Sequence, residues 1–287
     1  MAQQPVAYLD QVFLDSQEAR PVRILSEYLE PLRRFRQQKI QDTVVFFGSA
    51  RVDSRERAER ALATLRSRQG LESPQAYDAA LTRGRKAIEW ARYYEEARTL
   101  ARLLTAWSLS LRAEHSRFVV CSGGGPGIME AANRGASEAG GKTIGLNIRL
   151  PFEQGANAYI TEGLHFEFHY FFMRKFWFAY LAKALVIFPG GFGTCDELFE
   201  ILTLVQTDKL SKRIGVVLYG TEYWNTVLNV KAMAEWGAIA ETDLALLHRA
   251  DTPTDAFEYL REHLMTHHLN PESEQEAAAP GIARTRG

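Results

Sequence analysis

Residues 184–206 read ALVIFPGGFGTCDELFEILTLVQ, an apolar run followed at once by a glycine-rich loop and a helical pattern. Strands that are buried on both faces are continuously apolar, whereas a helix repeats its apolar residues with a period near that of its own turn. A second stretch, FVVCSGGGPGIMEAANRGA at 118–136, has the same design. A glycine loop that joins a buried strand to a helix is typical of α/β folds.

Three further apolar runs extend the predicted sheet, at residues 43–47, 142–148 and 213–219. Together with the runs at 118–121 and 184–188 they predict five strands that alternate with helices. Alternation of this kind places helices on both faces of a parallel sheet. The sequence therefore predicts an α/β fold with a doubly wound, Rossmann-like sheet.

Three segments stand outside this alternation. Residues 1–40 contain three prolines and the charged run RRFRQQK, so we expect a peripheral N-terminal arm with a short helix. Residues 52–111, rich in Ala, Leu, Arg and Glu, predict a helical insertion within a Rossmann-like domain at 41–269. Residues 270–287 have almost no large apolar side chains and are predicted to be disordered.

Composition excludes several classes of function. With 34 basic and 35 acidic side chains the formal net charge is -1, so no broad field attracts nucleic acid or an anionic membrane. The 2 cysteines form no CxxC pair and predict neither a disulfide framework nor a zinc site. The N-terminus lacks a secretory signal pattern and no apolar run reaches membrane-spanning length, so we expect a cytoplasmic protein.

The two glycine loops are the first candidate binding site, because they place backbone N–H groups at the carboxyl edge of the sheet, where helix N-termini favour anions. The glycines are Gly123, Gly124, Gly125 and Gly127 in the first loop and Gly190, Gly191 and Gly193 in the second. Neither loop carries the GK[ST] of a P-loop or the GxGxxG of dinucleotide enzymes, which disfavours ATP hydrolysis and hydride transfer. Tight turning is the alternative role for these glycines, and it is weaker for the second loop.

Polar side chains follow the second loop. We expect Thr194 to cap the helix and touch a bound phosphate, and Asp196 and Glu200 to offset the helix dipole. Glu197, three residues past Thr194, projects from the same helix end, within reach of a sugar attached to that phosphate. A carboxylate beside a sugar indicates glycosidic chemistry.

Two cations interrupt the aromatic run FHYFFMRKFWFAYLAK at 168–183. Arg174 and Lys175 are costly inside an apolar helix unless they meet anions or reach solvent. We expect both to contact substrate, although for Lys175 reaching solvent or pairing with structural acids is an equal alternative. The aromatic density exceeds what one side of a helix buries, so we expect part of it, including Trp177, to face another subunit.

These motifs together resemble a known family. The stretches GGGPGIMEAANRGA at 123–136, MRK at 173–175 and PGGFGTCDE at 189–197 resemble the LOG family, the cytokinin riboside 5′-monophosphate phosphoribohydrolases, often mislabelled lysine decarboxylases. The resemblance covers residues 43–264 by element order, and the arm and the insertion are similar to those of long bacterial-type members. It implies Arg174 and Glu197 as the catalytic pair, Gly190, Gly191, Gly193 and Thr194 as the phosphate loop, and Ser49 and Thr203 as lesser nucleotide contacts.

The resemblance also implies an activity, namely hydrolysis of the N-glycosidic bond of a purine or cytokinin riboside 5′-monophosphate such as AMP, by a homodimer or larger homo-oligomer. We expect no cofactor and no metal. Glu197 can stabilise an oxocarbenium-like ribose and activate water, while Arg174 can hydrogen-bond the base or the phosphate. The alternative is a non-catalytic carrier or sensor of nucleotides or cofactors, since fold does not fix function. A lysine decarboxylase would need a lysine for pyridoxal phosphate, which the phosphate loop does not offer.

Overall fold

The computed structural model describes residues 5–67, 73–150, 155–207, 209–210 and 212–269. Its strands form one sheet in the order β4-β3-β2-β1-β5-β6-β7, with every neighbouring pair parallel. The strands are β1 (Thr43–Phe47), β2 (Val119–Ser122), β3 (Thr143–Ile148), β4 (His165–Phe168), β5 (Ala182–Ile187), β6 (Gly215–Tyr219) and β7 (Leu247–Ala250). The predicted α/β doubly wound fold is confirmed.

The described residues also form ten α-helices. They are α1 (Gln11–Asp15), α2 (Arg20–Gln37), α3 (Arg55–Arg66), α4 (Pro74–Ser110), α5 (Ile128–Glu138), α6 (Phe171–Leu181), α7 (Phe192–Gln206), α8 (Thr221–Val227), α9 (Val230–Glu235) and α10 (Pro253–His268). Within the described ranges, no helix combines the length and the apolar composition that crossing a membrane requires.

Both faces of the sheet are covered, because successive side chains of a strand point to opposite sides. In β1, Val44 and Phe46 pack into the core formed with α4, α5 and α10. Val45 and Phe47 belong to the opposite core, to which α2, α6 and α7 contribute. This double burial explains why β1 has no polar side chain apart from its first residue.

The chain reverses its direction across the sheet between β1 and β5, since β2, β3 and β4 lie on one side of β1 and β5, β6 and β7 on the other. Ligands of open α/β sheets bind in the crevice that such a reversal opens at the carboxyl ends of the strands. Backbone hydrogen bonds join the segments that follow β1 and β5: Phe188 N donates to Phe47 O at 2.8 Å, and Ser49 N donates to Pro189 O at 3.0 Å. The crevice therefore lies between the two loops that follow β1 and β5.

Two edge strands were not predicted. In β4, His165 and Glu167 are exposed while Phe166 and Phe168 are buried, so its four residues alternate instead of forming an apolar run. The four residues of β7 include a histidine and an arginine. An edge strand is paired on one side only and needs no continuous apolar sequence, which removes the signal that revealed the five inner strands.

The expectation of a peripheral arm with a short helix was wrong for α2, which is 18 residues long and contributes to the core. Pro21 lies in its first turn, where a missing N–H is tolerated, but Pro31 lies inside it. Contacts across the sheet edge hold the helix: the Phe35 ring lies 4.8 Å from that of Phe166 and 5.2 Å from that of Trp177. This aromatic packing stabilises a helix that carries an internal proline.

The predicted insertion forms two helices, α3 and α4, each started by a serine side chain that accepts a backbone N–H, Ser54 and Ser73. The second half of α4 buries Tyr94, Leu100 and Leu104 against the sheet and α5. The boundaries proposed for the arm and the insertion stay predictions. The predicted disorder at 270–287 lies outside the described residues.

Candidate active site

The loops after β1, β2 and β5 meet at the switch point. Ser49, two residues after the end of β1, connects the other two: its N–H donates to Pro189 O at 3.0 Å, and its carbonyl accepts from Ile128 N at 3.1 Å. Ser49 thus bridges the two predicted glycine loops through its backbone. Its hydroxyl accepts a hydrogen bond from Arg51 N at 3.1 Å.

In the first loop, backbone conformation and close packing are enough to explain why two positions are glycine, with no need for a ligand. Gly124 and Gly127 have φ angles of 74° and 73°, which side chains of L-residues rarely adopt. A Cβ at Gly127 would collide with the Ser49 carbonyl, and one at Gly124 would collide with the Asn147 side chain. The turn role that was the alternative for these glycines therefore applies to both of them.

The second loop differs, because part of its backbone borders open space. Gly191 is the N-cap of α7, and neither Gly191 nor Gly193 has an atom within 4 Å of where a Cβ would lie. The N–H groups at this helix N-terminus are thus accessible to an anion. The Gly190 carbonyl accepts from the Tyr223 hydroxyl at 2.8 Å, which fixes the loop to α8.

Thr194 does not cap this helix, contrary to expectation. The helix begins at Phe192, so Thr194 is its third residue, and its N–H donates to Gly191 O at 3.0 Å. Its side chain is buried and packs against Gly190. The helix starts earlier than predicted because the glycine at 191 takes the capping position.

Arg174 reaches the same crevice from α6. Its Nε donates to Leu146 O at 2.8 Å, and its guanidinium carbon lies 5.1 Å from the centre of the Phe178 ring. A Cβ on Gly123 would lie 2.6 Å from Arg174 Nη2, so the absence of a side chain at 123 makes room for this cation. Burial lowers the pKa of Arg174, against the opposing effect of the Glu197 carboxylate.

Glu197 lies on the second turn of α7, and only 6% of its surface is exposed. Among the described residues, no group donates a hydrogen bond to its carboxylate, and no cationic nitrogen lies within 4 Å of it. Burial raises the pKa of Glu197 to about 7, although Arg174 and Lys175 act to lower it. The site therefore holds a buried carboxyl that changes its protonation state near neutral pH.

Lys175 pairs with two carboxylates other than that of Glu197. Its Nζ lies 2.7 Å from Asp196 Oδ1 and 3.2 Å from Glu200 Oε2. Burial acts to lower the pKa of Lys175, but the hydrogen bonds with Asp196 and Glu200 outweigh it and raise that pKa. Pairing with structural acids, which was the alternative for Lys175, is the arrangement found. The expectation that Asp196 and Glu200 offset the helix dipole was wrong, since neither lies in the first turn of α7.

Two other predicted positions lie apart from the crevice. Thr203 is exposed on α7, about 13 Å along the helix from Thr194, and its hydroxyl donates to Phe199 O at 2.7 Å. Trp177 is 1% exposed, stacks on Tyr28 and donates from Nε1 to Glu27 O at 2.9 Å. It is a core residue of the chain, and its expected place in a subunit interface was wrong because α2 covers it.

Sequence reasoning missed three polar residues of the site. The Asn157 side chain donates to the carbonyls of Gly124 and Gly125 at 3.0 and 3.1 Å, and so holds the first loop. Asn147, on β3, has a buried side-chain oxygen for which the described residues provide no hydrogen-bond partner. The third residue is Tyr223, described above. None of the three belongs to a glycine loop or a charged motif, so only their polar character could have drawn attention to them.

Comparisons with known proteins agree with the motifs. Residues 129–260 match the family model described as possible lysine decarboxylase. A probable cytokinin riboside 5′-monophosphate phosphoribohydrolase of Arabidopsis thaliana is 27% identical over 177 residues, which is 62% of this chain and 84% of that protein. A protein of Rhodococcoides fascians with the same activity in its name is 31% identical over 113 residues, 39% of this chain and 56% of its own length.

Solved structures include two distant neighbours, too dissimilar to bear on activity. The Moco carrier protein of Chlamydomonas reinhardtii aligns with a TM-score of 0.45 and 19% identity, over 79% of this chain and 99% of that one. The molybdenum cofactor binding protein of Rippkaea orientalis aligns with a TM-score of 0.42 and 18% identity, over 59% and 86%. The family model and the curated relatives, at modest sequence identity, confirm the resemblance to the LOG family that the motifs predicted.

Proposed function

We propose that this protein hydrolyses the N-glycosidic bond of a purine riboside 5′-monophosphate, with AMP or a prenylated AMP as substrate, to give the free base and ribose 5-phosphate. The observation that carries the proposal is the placement of Glu197. This buried carboxyl has a pKa of about 7 and lies on the second turn of α7, the helix whose N-terminus is open to an anion. A 5′-phosphate bound at Gly191 and Gly193 would bring a ribose toward this carboxyl.

In the proposed reaction, the carboxylate of Glu197 accepts a proton from water as the water oxygen bonds to C1′. The bond between C1′ and the base breaks, its electron pair leaves with the base, and the base takes up a proton. The transition state is oxocarbenium-like, so a nearby carboxylate also stabilises the charge on the sugar. A pKa near the working pH suits a group that must both take up and release a proton in each cycle.

Arg174 is the second residue of the proposed mechanism. A guanidinium stays protonated at neutral pH, which makes it a hydrogen-bond donor rather than an acid. With its Nε engaged by Leu146 O, its remaining N–H groups are available for the phosphate or for the departing base. Its guanidinium lies against Gly123, so those donors are next to the first loop.

Two competing functions are less consistent with this site. A pyridoxal phosphate enzyme needs a lysine that loses its proton to form a Schiff base. Lys175 is held protonated by two carboxylates, which opposes that chemistry. A carrier of nucleotides would have no use for a buried carboxyl of raised pKa beside the ligand, since burying such a group costs stability.

A substrate panel tests the proposal. Purified protein is incubated with AMP, GMP, CMP and a prenylated AMP, and free base and ribose 5-phosphate are measured by chromatography. We expect base release from at least one purine nucleotide, and its loss in Glu197→Gln while nucleotide binding survives. Binding of a nucleotide without release of base from any of the four would instead identify a carrier.

A further inference from the structure

Two ion pairs join α6 to α7 beside the proposed catalytic residues. Lys175 Nζ lies 2.7 Å from Asp196 Oδ1 and 3.2 Å from Glu200 Oε2, and within the described ranges no other ion pair connects these two helices. Lys175 directly follows Arg174 in the chain, and Asp196 directly precedes Glu197. The bridge therefore connects the immediate neighbours of the two residues that the proposed reaction uses.

Solvent screens this bridge only in part. The Lys175 side chain is 19% exposed, and those of Asp196 and Glu200 are 55% and 33% exposed. Hydrogen bonds between charged groups are stronger than those between neutral groups, and partial burial reduces their screening by salt. A cation that meets two carboxylates on one helix therefore favours one arrangement of α6 against α7.

The bridge also balances the charge around Glu197. Burial raises the pKa of the Glu197 carboxyl, and Arg174 and Lys175 on α6 lower it. Glu200 and Asp196 on α7 raise that pKa further. Like charges disfavour the ionised form of a carboxyl, so the loss of Lys175 would leave both acids acting against the carboxylate of Glu197. Arg174 would then be the only cation of α6 that favours this carboxylate.

We propose that Lys175 is a positioning residue of the candidate active site, which holds α6 against α7 and offsets the two acids beside Glu197. It acts through Asp196 and Glu200 and not through a contact with substrate. Its role in catalysis rests on the proposed hydrolysis, whereas its effect on the protonation of Glu197 does not.

Infrared spectroscopy of the whole protein tests the charge balance without substrate. Ordinary carboxyls are ionised at neutral pH, so the protonated-carboxyl absorption that Glu197→Gln removes reports on Glu197. We expect the midpoint of this absorption to move to higher pH in Lys175→Met, which removes the charge, and to return toward that of the wild type in Lys175→Arg, which keeps it. The control is Lys209→Met, which removes an exposed lysine beyond the end of α7 and should leave the midpoint unchanged.

Asp196→Asn keeps the test decisive should Lys175→Met disturb folding. It removes an exposed acid next to Glu197, so the midpoint should move to lower pH, opposite to the shift in Lys175→Met. An unchanged midpoint in folded Lys175→Met would overturn the proposal. Shifts in the same direction in both variants would also overturn it, because they would indicate a general disturbance of the site.

The pH profile of base release tests the role in catalysis. For Lys175→Met we expect kcat/KM to fall by about threefold or more at about pH 6 and to approach that of the wild type at about pH 9, with KM changing less than kcat. A raised KM with an unchanged profile would identify Lys175 as a substrate contact and overturn the proposal. Absence of base release from the wild type would refute the proposed hydrolysis, and the infrared midpoints would still decide whether Lys175 controls the protonation of Glu197.

Discussion

Replacing Glu197 by glutamine should stabilise the folded protein while removing its proposed activity. The carboxyl is 6% exposed, and burial raises its pKa from 4.5 to about 7. Folding therefore favours the protonated form, and ionisation at higher pH acts against the folded state. Glutamine has the same size and cannot ionise, so it removes this penalty.

The size of the effect follows from the pKa shift. The contribution of Glu197 to stability is fully present below the unfolded-state pKa of 4.5 and is lost as the pH rises through the folded-state pKa of about 7. At about 1.36 kcal/mol per pKa unit, the shift predicts that Glu197→Gln gains roughly 3 kcal/mol at about pH 8. The gain should fall to about 1 kcal/mol at about pH 5.5.

Urea unfolding followed by tryptophan fluorescence at these two pH values measures the gain. Glu258→Gln is the control, because it neutralises an exposed carboxylate and should change the free energy of unfolding by less than about 0.5 kcal/mol. A glutamine variant that is no more stable than the wild type at the higher pH, or a gain that does not depend on pH, would refute the burial argument for Glu197.

Three other predictions concern activity and assembly. If the Glu197 carboxylate is the active form, kcat/KM should rise about tenfold from about pH 6 to about pH 8, and a flat profile would contradict its role as base. Gly193→Ala, whose added methyl meets open space in the free protein, should weaken binding of AMP but not of adenosine, as compared by titration. Light scattering should give at least twice the 32.4 kDa of the chain. Phe171→Asp changes an exposed aromatic residue of α6 and should reduce the measured mass to that of a monomer, whereas Trp177→Asp should unfold the protein. An unchanged mass in a folded Phe171→Asp variant would exclude that face of α6 as the interface.

The inner sheet could be predicted because its signal is local. β1 was predicted with its observed bounds, and β2, β3, β5 and β6 within a few residues, since a strand buried on both faces must be apolar throughout. The glycine loops were likewise visible in the sequence, and they carried the resemblance to the LOG family. The edge strands β4 and β7 and the long helix α2 were not, because their stability comes from contacts with distant parts of the chain.

The candidate site divides along the same line. The sequence by itself singled out Arg174 and Glu197 for the proposed chemistry, because a cation within an apolar helix and an acid after a glycine loop are unusual. Only the tertiary structure decided which cation is free to act: Lys175 is adjacent to Arg174 in the chain, yet Asp196 and Glu200 pair with it. It also decided that Trp177 belongs to the core and that Glu197 titrates near neutrality. Burial and pairing are set by residues far apart in sequence, so no local pattern can encode them.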